Sequence, residues 1–193
     1  MRFPWSRDLR LKASSSEAIA FVEGRESRYA IHQVCDYLIY DNAAISDPDD
    51  DWKRLSKGQK ALLRIAVFDA QVRNGGVEQY LWNYPHEVFE AQEALELIGA
   101  TEVARNYESV LDQFCETSEA WIELRASSTG ASESDLDAAL DAEKLIDGDE
   151  FNSAYYGEWD GWGKQLAPGL GEVVYACFVD YFKRHQRQFI KSN

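Results

Sequence analysis

Residues 69–83 read DAQVRNGGVEQYLWN, and this stretch decides how the chain divides into helices. Upstream of it, Ser56 and Gln59 have the spacing of a capping box, and apolar residues then recur every three or four positions as far as Val72. Asn74-Gly75-Gly76 follows, and glycines can take the positive φ of a tight helix exit. The pattern predicts a helix that begins after Ser56 and stops at this Asn-Gly-Gly, with at least one glycine at positive φ.

Helix signals continue on both sides of this stretch. A short turn through Tyr80 and Trp82 is predicted to lead to Pro85 as a first helical residue. Six further helices are predicted, approximately over residues 14–24, 26–40, 85–98, 101–125, 135–146 and 171–189. The aromatic segment 151–162 has no decisive periodicity, and no run shows convincing strand alternation. We therefore expect an all-α fold, a single compact domain of about seven helices.

The run DPDDD at residues 47–51 has the turn chemistry and charge repulsion of a loop. It is the predicted boundary between two parts of the chain. We expect an N-terminal helical extension at residues 1–50 and an all-helical acidic domain at residues 51–193.

Composition excludes several classes of function. The 193 residues include 34 acids against 20 Lys and Arg, so the formal net charge is −14 and sequence-independent binding to nucleic acid is disfavoured. The odd number of cysteines, three, argues for free thiols in a reducing compartment. No apolar run approaches the roughly 18 residues of a membrane span, and the first dozen residues have no signal-peptide core. We expect a cytoplasmic protein without direct contact to nucleic acid or membrane.

The negative charge is concentrated in the middle of the chain. Residues 84–160 hold 20 acids and 3 bases, whereas residues 1–83 hold 12 of each and residues 161–193 hold 2 acids and 5 bases. Aromatic residues are interspersed in the central block, which favours a folded acidic surface over a disordered acidic tail.

Five acids of this block fall on one face of the helix predicted from Thr101. Their spacings of 4, 4, 3 and 4 confine them to an arc of roughly 80°, and they extend about 22 Å along the helix axis. We call this row the acidic ridge; it consists of Glu108, Asp112, Glu116, Glu119 and Glu123. Asp137 and Asp141 on the following predicted helix add to the same candidate partner-binding surface.

Two interpretations of the acidic ridge stay open at this level. Acids commonly solvate the outer face of an amphipathic helix. Like charges at i, i+4 nevertheless destabilise a helix by a few tenths of a kcal/mol, and surface helices usually relieve this with interleaved Lys or Arg, which are nearly missing here. A row of unrelieved carboxylates could instead imitate the phosphates of a duplex.

Residues 69–83 also resemble the core motif of the DNA-mimic protein (DMP)-like domain family, which is typified by a bacterial protein and is otherwise of unknown function. An acidic helix end, Asn-Gly-Gly, Gln, aromatics and Asn recur in this order in that family, and the resemblance covers roughly residues 50–165. Val77 departs from it, since an aromatic is expected after the glycine pair. The resemblance implies an all-helical domain whose type member is acidic and binds a DNA-binding transcriptional regulator in place of DNA.

The motif also contains a candidate polar pocket. Gln79 and Asn83 are four residues apart and share a helical face, with Asn74 near them. Their amides could satisfy backbone groups left open at Gly75-Gly76. They could also line a pocket with Asp69 and Trp82 that binds a small molecule or a peptide carbonyl.

Signatures of catalysis and of metal binding are weak. His32 and Cys35 lie at i, i+3, but structural zinc needs four ligands and no second His/Cys pair occurs at usable spacing. Hydrolase, P-loop, metalloprotease and dinucleotide motifs are absent from the sequence. We expect no cofactor, no metal and no enzymatic activity.

The leading hypothesis is a non-catalytic acidic interaction protein that occupies the DNA-binding surface of a transcriptional regulator. The alternatives are an immunity-type or antirestriction inhibitor of a nuclease, and a small-ligand binder or enzyme at Asn74, Gln79 and Asn83. The expected partner is a protein with a basic surface. The oligomeric state stays open, a homodimer being one option.

Overall fold

The computed structural model describes residues 9–25, 29–42, 45, 47–128, 132, 145–159 and 165–191 of the chain. Eight α-helices lie in these ranges, and the all-α fold class is confirmed. They are α1 (Ser15–Glu23), α2 (Ala30–Cys35), α3 (Pro48–Asp51), α4 (Lys57–Asn83), α5 (Val88–Ile98), α6 (Thr101–Ser128), α7 (Asp149–Tyr156) and α8 (Leu170–His185). A π-helical turn, Asp36–Tyr40, continues α2, and the 3-10 turns Trp52–Arg54 and Gln186–Gln188 follow α3 and α8. None of the described helices is both long and apolar enough to cross a lipid bilayer.

Helix α4 begins at the predicted capping box. The Ser56 hydroxyl accepts a hydrogen bond from the Gln59 backbone N–H at 3.2 Å, and the Gln59 side chain accepts one from the Ser56 N–H at 2.9 Å. Two of the open N–H groups at the helix start are thereby satisfied. The helix packs against both α5 and α2.

Helices α5 and α6 follow α4 as consecutive neighbours. Gly99 ends α5 in the left-handed conformation at φ 86°, as its position after Leu97-Ile98 predicts. The prediction for Pro85 is wrong, because α5 begins at Val88 and Pro85 lies in the turn before it. Packing of the turn overrides the preference of proline for a first helical position, and Pro85 is itself buried.

Aromatic rings fill the core where α4, α6 and α7 meet. Phe68 of α4 makes edge-to-face contacts with Tyr80 and Tyr107, at centroid distances of 5.0 and 5.1 Å, and with Phe151 and Tyr155 of α7 at 6.1 and 5.9 Å. All five side chains are buried. Such pairs add to the free energy gained by burying the rings, so this cluster fixes α7 against the longer helices.

The first and last described segments lie side by side. Leu11 and Ile190 form a parallel β-bridge, with the Leu11 N–H donating to the Phe189 carbonyl at 2.7 Å. The Leu9 carbonyl accepts hydrogen bonds from the side chains of Asn42 and Gln59. Residues before and after the predicted boundary at 47–51 are therefore in direct contact.

Two further local predictions are wrong. The acidic run at 47–51 is not a loop, because Asp47 caps a one-turn helix by accepting from the Asp49 N–H at 2.9 Å, and proline suits the first position of that helix. The helical run that begins after Ser56 does end at Gly75-Gly76, whose φ and ψ are not helical, but a second helical run continues α4 to Asn83, so Tyr80 and Trp82 are helical rather than in a turn. The segment after α7 forms a short antiparallel ladder of β1 (Glu158–Trp159) with β2 (Gln165–Ala167). The helix predicted at 135–146 lies outside the described residues except at its last two positions, which are in a turn.

Candidate functional site

The acidic ridge lies on the solvent side of α6. All five of its carboxylates, from Glu108 to Glu123, are on exposed residues. The opposite side of the helix is buried by Val103, Tyr107, Val110, Phe114 and Trp121. The periodicity of the sequence thus places the charges outward because the apolar face is used for packing.

Three cations of α4 and α8 are engaged in ion pairs away from the ridge. Arg64 pairs with Glu87, Arg73 with Asp69 at 2.9 Å, and Lys183 with Glu23. Arg105 lies one turn before Glu108 on α6, but the two form no salt bridge. Within the described part of the chain, none of the five ridge carboxylates takes part in a salt bridge.

Two exposed residues beside the ridge are not predicted as site residues from the sequence. Ile122 is 41% exposed and Cys115 is exposed, and on a helix each lies within about 60° of a ridge carboxylate. An exposed apolar residue next to a row of charges is a common arrangement in protein interfaces. Their position between Glu108 and Glu123 is the sequence feature that indicates a place beside the ridge. The predicted Asp137 and Asp141 lie outside the described residues.

The Gly-Gly pair of the motif breaks α4 into two helical runs that meet at a kink. Gly75 has φ −154° and Gly76 has φ 81° and ψ 175°, so the prediction of a positive φ is confirmed at Gly76. The Val77 N–H donates to Asn152 Oδ1 at 2.8 Å, and the Tyr156 hydroxyl donates to the Val72 carbonyl. Side chains of α7 therefore satisfy backbone groups that the kink leaves without helical partners.

The predicted pocket amides bind one another instead of lining a cavity together with Asp69. Asn74 Nδ2 donates to Gln79 Oε1 at 3.1 Å, and Gln79 Nε2 donates to Gln71 Oε1 at 2.8 Å. Asn83 Nδ2 donates to the same Gln71 oxygen at 2.6 Å. The row crosses the kink on the outside of α4. Trp82 packs edge-to-face against Trp121 at 5.6 Å, so its ring is used to attach α6.

Asp69 belongs to a separate, buried cluster. Its side chain is 1% exposed, and it accepts hydrogen bonds from His32 Nε2 at 2.9 Å, Arg73 Nε at 2.9 Å and the Tyr155 hydroxyl at 2.7 Å. Glu172 of α8 lies 3.5 Å from Arg73 Nη2. One carboxylate therefore joins α2, α4 and α7, and Arg73 extends the cluster to α8. Its partner His32 is not predicted from the sequence, because no local pattern pairs residues 37 positions apart.

The electrostatics of this cluster are consistent with its burial. Desolvation acts to lower the pKa of Arg73, but Asp69, Tyr155 and Glu172 outweigh it and the pKa is raised. Burial, together with the Asp69 charge, raises the pKa of Tyr155 well above its ordinary value. Arg73 thus stays charged and Tyr155 stays a hydrogen-bond donor. A cleft of about 330 Å³ adjoins the cluster and is lined by Tyr29, His32, Ala70, Arg73 and Asn74.

The amide row on α4 and the cluster around Asp69 both lack the composition of a metal centre. Among the residues that the structure describes, no group of three or more His, Cys, Asp or Glu side chains converges on a point that could hold an ion. Cys35, the predicted companion of His32, is buried, and burial raises the pKa of its thiol to about 12.

Comparison with known proteins places the chain in a family. The sequence matches that of the DMP19-like protein family over residues 53–167, which is more than half of the 193 residues. No curated protein and no solved structure matches the chain. The matched segment runs from the 3-10 turn before α4 to the end of β2 and includes the acidic ridge, the kink and Asp69, whereas His32 lies before it. The chain belongs to the DMP19-like protein family.

Proposed function

We propose that the protein is a non-catalytic, acidic interaction protein whose acidic ridge occupies the DNA-binding surface of a partner, a transcriptional regulator being the leading candidate. The observation that carries the proposal is that the five ridge carboxylates are exposed and form no salt bridge within the described part of the chain. Membership of the DMP19-like family supports it, because the resemblance implies an acidic protein that binds in place of DNA.

The charge spacing along α6 supports the comparison with nucleic acid. The five charges are separated by four intervals over about 22 Å of axis, which amounts to about one charge per 5.6 Å. Each strand of duplex DNA carries one phosphate per 3.4 Å of axis. The ridge therefore has about three-fifths of the linear charge density of one DNA strand, and a basic groove that binds a phosphate backbone would bind it by the same interaction.

The mutual repulsion of the carboxylates also favours a functional role. Each like-charge pair at i, i+4 destabilises the helix by roughly 0.2–0.5 kcal/mol, and the burial of the opposite face of α6 compensates for it. A basic partner that covers the ridge would relieve this repulsion.

The alternative of a small-ligand site at Asn74, Gln79 and Asn83 has less support. These amides are joined through Gln71, which reduces the hydrogen-bonding capacity left for a ligand. Inhibition of a nuclease would use the same ridge as inhibition of a regulator, and the two differ only in the identity of the partner.

The proposal is tested by capturing partners from a cell lysate on the immobilised chain at low ionic strength. The captured proteins are then eluted with duplex DNA. Capture is compared between two variants that each lose three charges. The ridge variant carries Asp112→Asn, Glu116→Gln and Glu119→Gln; the control variant carries Asp36→Asn, Asp50→Asn and Asp180→Asn, which are exposed and outside the ridge.

We expect a DNA-binding protein that the wild type and the control variant retain, that the ridge variant loses, and that duplex DNA displaces. Equal retention by both variants, or retention that excess duplex leaves unchanged, would contradict the proposal.

A further inference from the structure

A second charged region of opposite sign lies at the end of α8. Residues 181–191 and 9–13 contain no acid, and they are joined by the bridge between Leu11 and Ile190. Together they carry six Lys and Arg side chains: Arg10, Lys12, Lys183, Arg184, Arg187 and Lys191. This concentration is unexpected in a chain of net charge −14.

These segments border a cleft of about 570 Å³, which we call the basic cleft; residues 183–188, Ile190 and Ser15 line it. Lys183 pairs with Glu23 on one side. Arg184 and Arg187 are exposed and form no salt bridge in the described residues. The dipole at the C-terminal end of α8 corresponds to about half a negative charge, so it neutralises only part of this cluster.

One wall of the basic cleft is held in place by hydrogen bonds to α4. Gln188 Oε1 accepts from the Gly58 N–H at 2.6 Å, and the Gln188 carbonyl accepts from the Ser56 hydroxyl at 2.6 Å. Gln188 Nε2 also donates to the Tyr181 hydroxyl at 3.0 Å. The backbone that follows Arg184 and Arg187 is therefore fixed before any ligand binds, which lowers the entropic cost of binding.

The opposite wall is the start of a helix. Ser15 is the first residue of the nine-residue helix α1, whose Ser14 cap and Glu17 form a capping box. The ionised Glu17 carboxylate offsets the partial positive charge of this helix end, so the positive charge of the cleft comes from its Lys and Arg side chains. The Glu17 carboxylate is hydrogen-bonded to Ser14, which lowers its pKa, so it is held at the cap rather than paired with a cleft cation.

From these observations we propose that the basic cleft binds a small anion with two or more linked phosphate groups. Its volume is that of a small-molecule site. The two unpaired guanidinium groups, with Lys183 beside them, match the charge of a diphosphate, and arginine binds phosphate oxygens in a bidentate manner. A long nucleic acid is disfavoured, because it would also meet the acidic remainder of the molecule, whereas a small ion is governed by the local charge.

The test is calorimetric titration of the full chain with pyrophosphate and with tripolyphosphate at low ionic strength. The cleft variant carries Arg184→Gln and Arg187→Gln. Its matched control carries Lys53→Gln and Arg105→Gln, two exposed cations outside the cleft. Circular dichroism verifies that both variants keep the wild-type helix content.

We expect saturable 1:1 binding that the cleft variant weakens about ten-fold or more and the control variant leaves unchanged, since a hydrogen bond to a charged group contributes at least a factor of ten. In NMR spectra the amide signals of Ser15 to Glu17 should shift with pyrophosphate. Absence of saturable binding, equal affinity of the cleft variant and wild type, or tighter binding of duplex DNA than of pyrophosphate through the same two arginines would overturn the proposal.

Discussion

Helices α4 and α6 are nearly equal in length, at 27 and 28 residues, but they place their polar side chains in opposite ways. On α4, the side chains of Asp69, Arg73 and Glu78 are all bonded to other elements of the fold. On α6, the carboxylates of the acidic ridge are exposed and without salt bridges in the described residues.

The difference separates two uses of charge. A buried carboxylate with three donors holds helices together, and it is not available to a ligand. An exposed row of like charges contributes nothing to the fold and is available to a partner. We therefore assign the fold to the polar groups of α4 and the interaction to those of α6, and four predictions test this division in order of decreasing effect on stability.

The largest effect is expected at the centre of the buried cluster. Asp69→Asn leaves the buried Arg73 guanidinium with only the more distant Glu172 carboxylate, and removing one partner of a buried ion pair destabilises by about 3–5 kcal/mol. Urea unfolding followed by circular dichroism measures the change. The matched substitution on α6, Asp112→Asn, should change the free energy of unfolding by less than about 0.5 kcal/mol. Similar values for the two variants would remove the distinction between the helices.

The kink of α4 should give the next largest effect. Gly76 has φ 81° and ψ 175°, a region populated almost only by glycine, and a Cβ there would lie 2.7 Å from Asn152 Nδ2. We expect Gly76→Ala to destabilise by about 1–3 kcal/mol. Gly75→Ala should destabilise the protein less, because the φ of Gly75 is negative and the added Cβ meets the end of the flexible Gln79 side chain. Thermal or urea unfolding of the two variants measures the difference in stability. A Gly76→Ala variant as stable as wild type would show that the kink is not fixed by glycine.

Neutralising part of the ridge should have a small effect of the opposite sign. The ridge variant removes repulsion between i, i+4 neighbours, so its free energy of unfolding should rise by a few tenths of a kcal/mol. Its affinity for a captured partner should fall while that of the control variant does not. A loss of stability by 1 kcal/mol or more in the ridge variant would mean that these carboxylates have partners in the fold.

Alkylation of cysteine should leave stability unchanged and still affect binding. Cys115 is exposed beside the ridge, whereas Cys35 is buried and its pKa is raised to about 12 by burial, so the native protein should react with iodoacetamide at Cys115 long before Cys35. Mass spectrometry locates the adduct. A bulky maleimide at Cys115 should block partner capture, and Cys115→Ser is the control that should bind normally. Faster reaction at Cys35 would contradict its burial.

The sequence predicts the parts of this structure that depend on local patterns. The capping box at Ser56 and Gln59, the left-handed Gly99 and the two faces of α6 all follow from spacings within one helix. Each of these features is determined by residues that are at most a few turns apart, and the acidic ridge is of the same kind.

Features that depend on distant residues are not predicted from the sequence. A second helical run follows Gly76 directly, because the side chains of Asn152 and Tyr156, more than 70 positions away, bond to backbone groups that the kink leaves open. The sequence predicts a pocket of Asp69 with Gln79 and Asn83, but His32 and Tyr155 reach Asp69 from other helices. Glycine chemistry therefore predicts the helix break but not the helical run after it, and amide spacing alone predicts a pocket where the structure has a row of bonded amides.

The measurement that tests the central claim most directly is the salt dependence of the affinity between the captured partner and three forms of the chain: wild type, ridge variant and control variant. If the acidic ridge replaces DNA phosphates, wild type and control should bind tightly at about 0.01 M salt and lose affinity steeply towards about 0.15 M, as the Debye length falls from about 30 to about 8 Å. The ridge variant should bind weakly with a shallower slope. Identical affinities and slopes for the ridge and control variants would contradict the assignment of partner binding to α6.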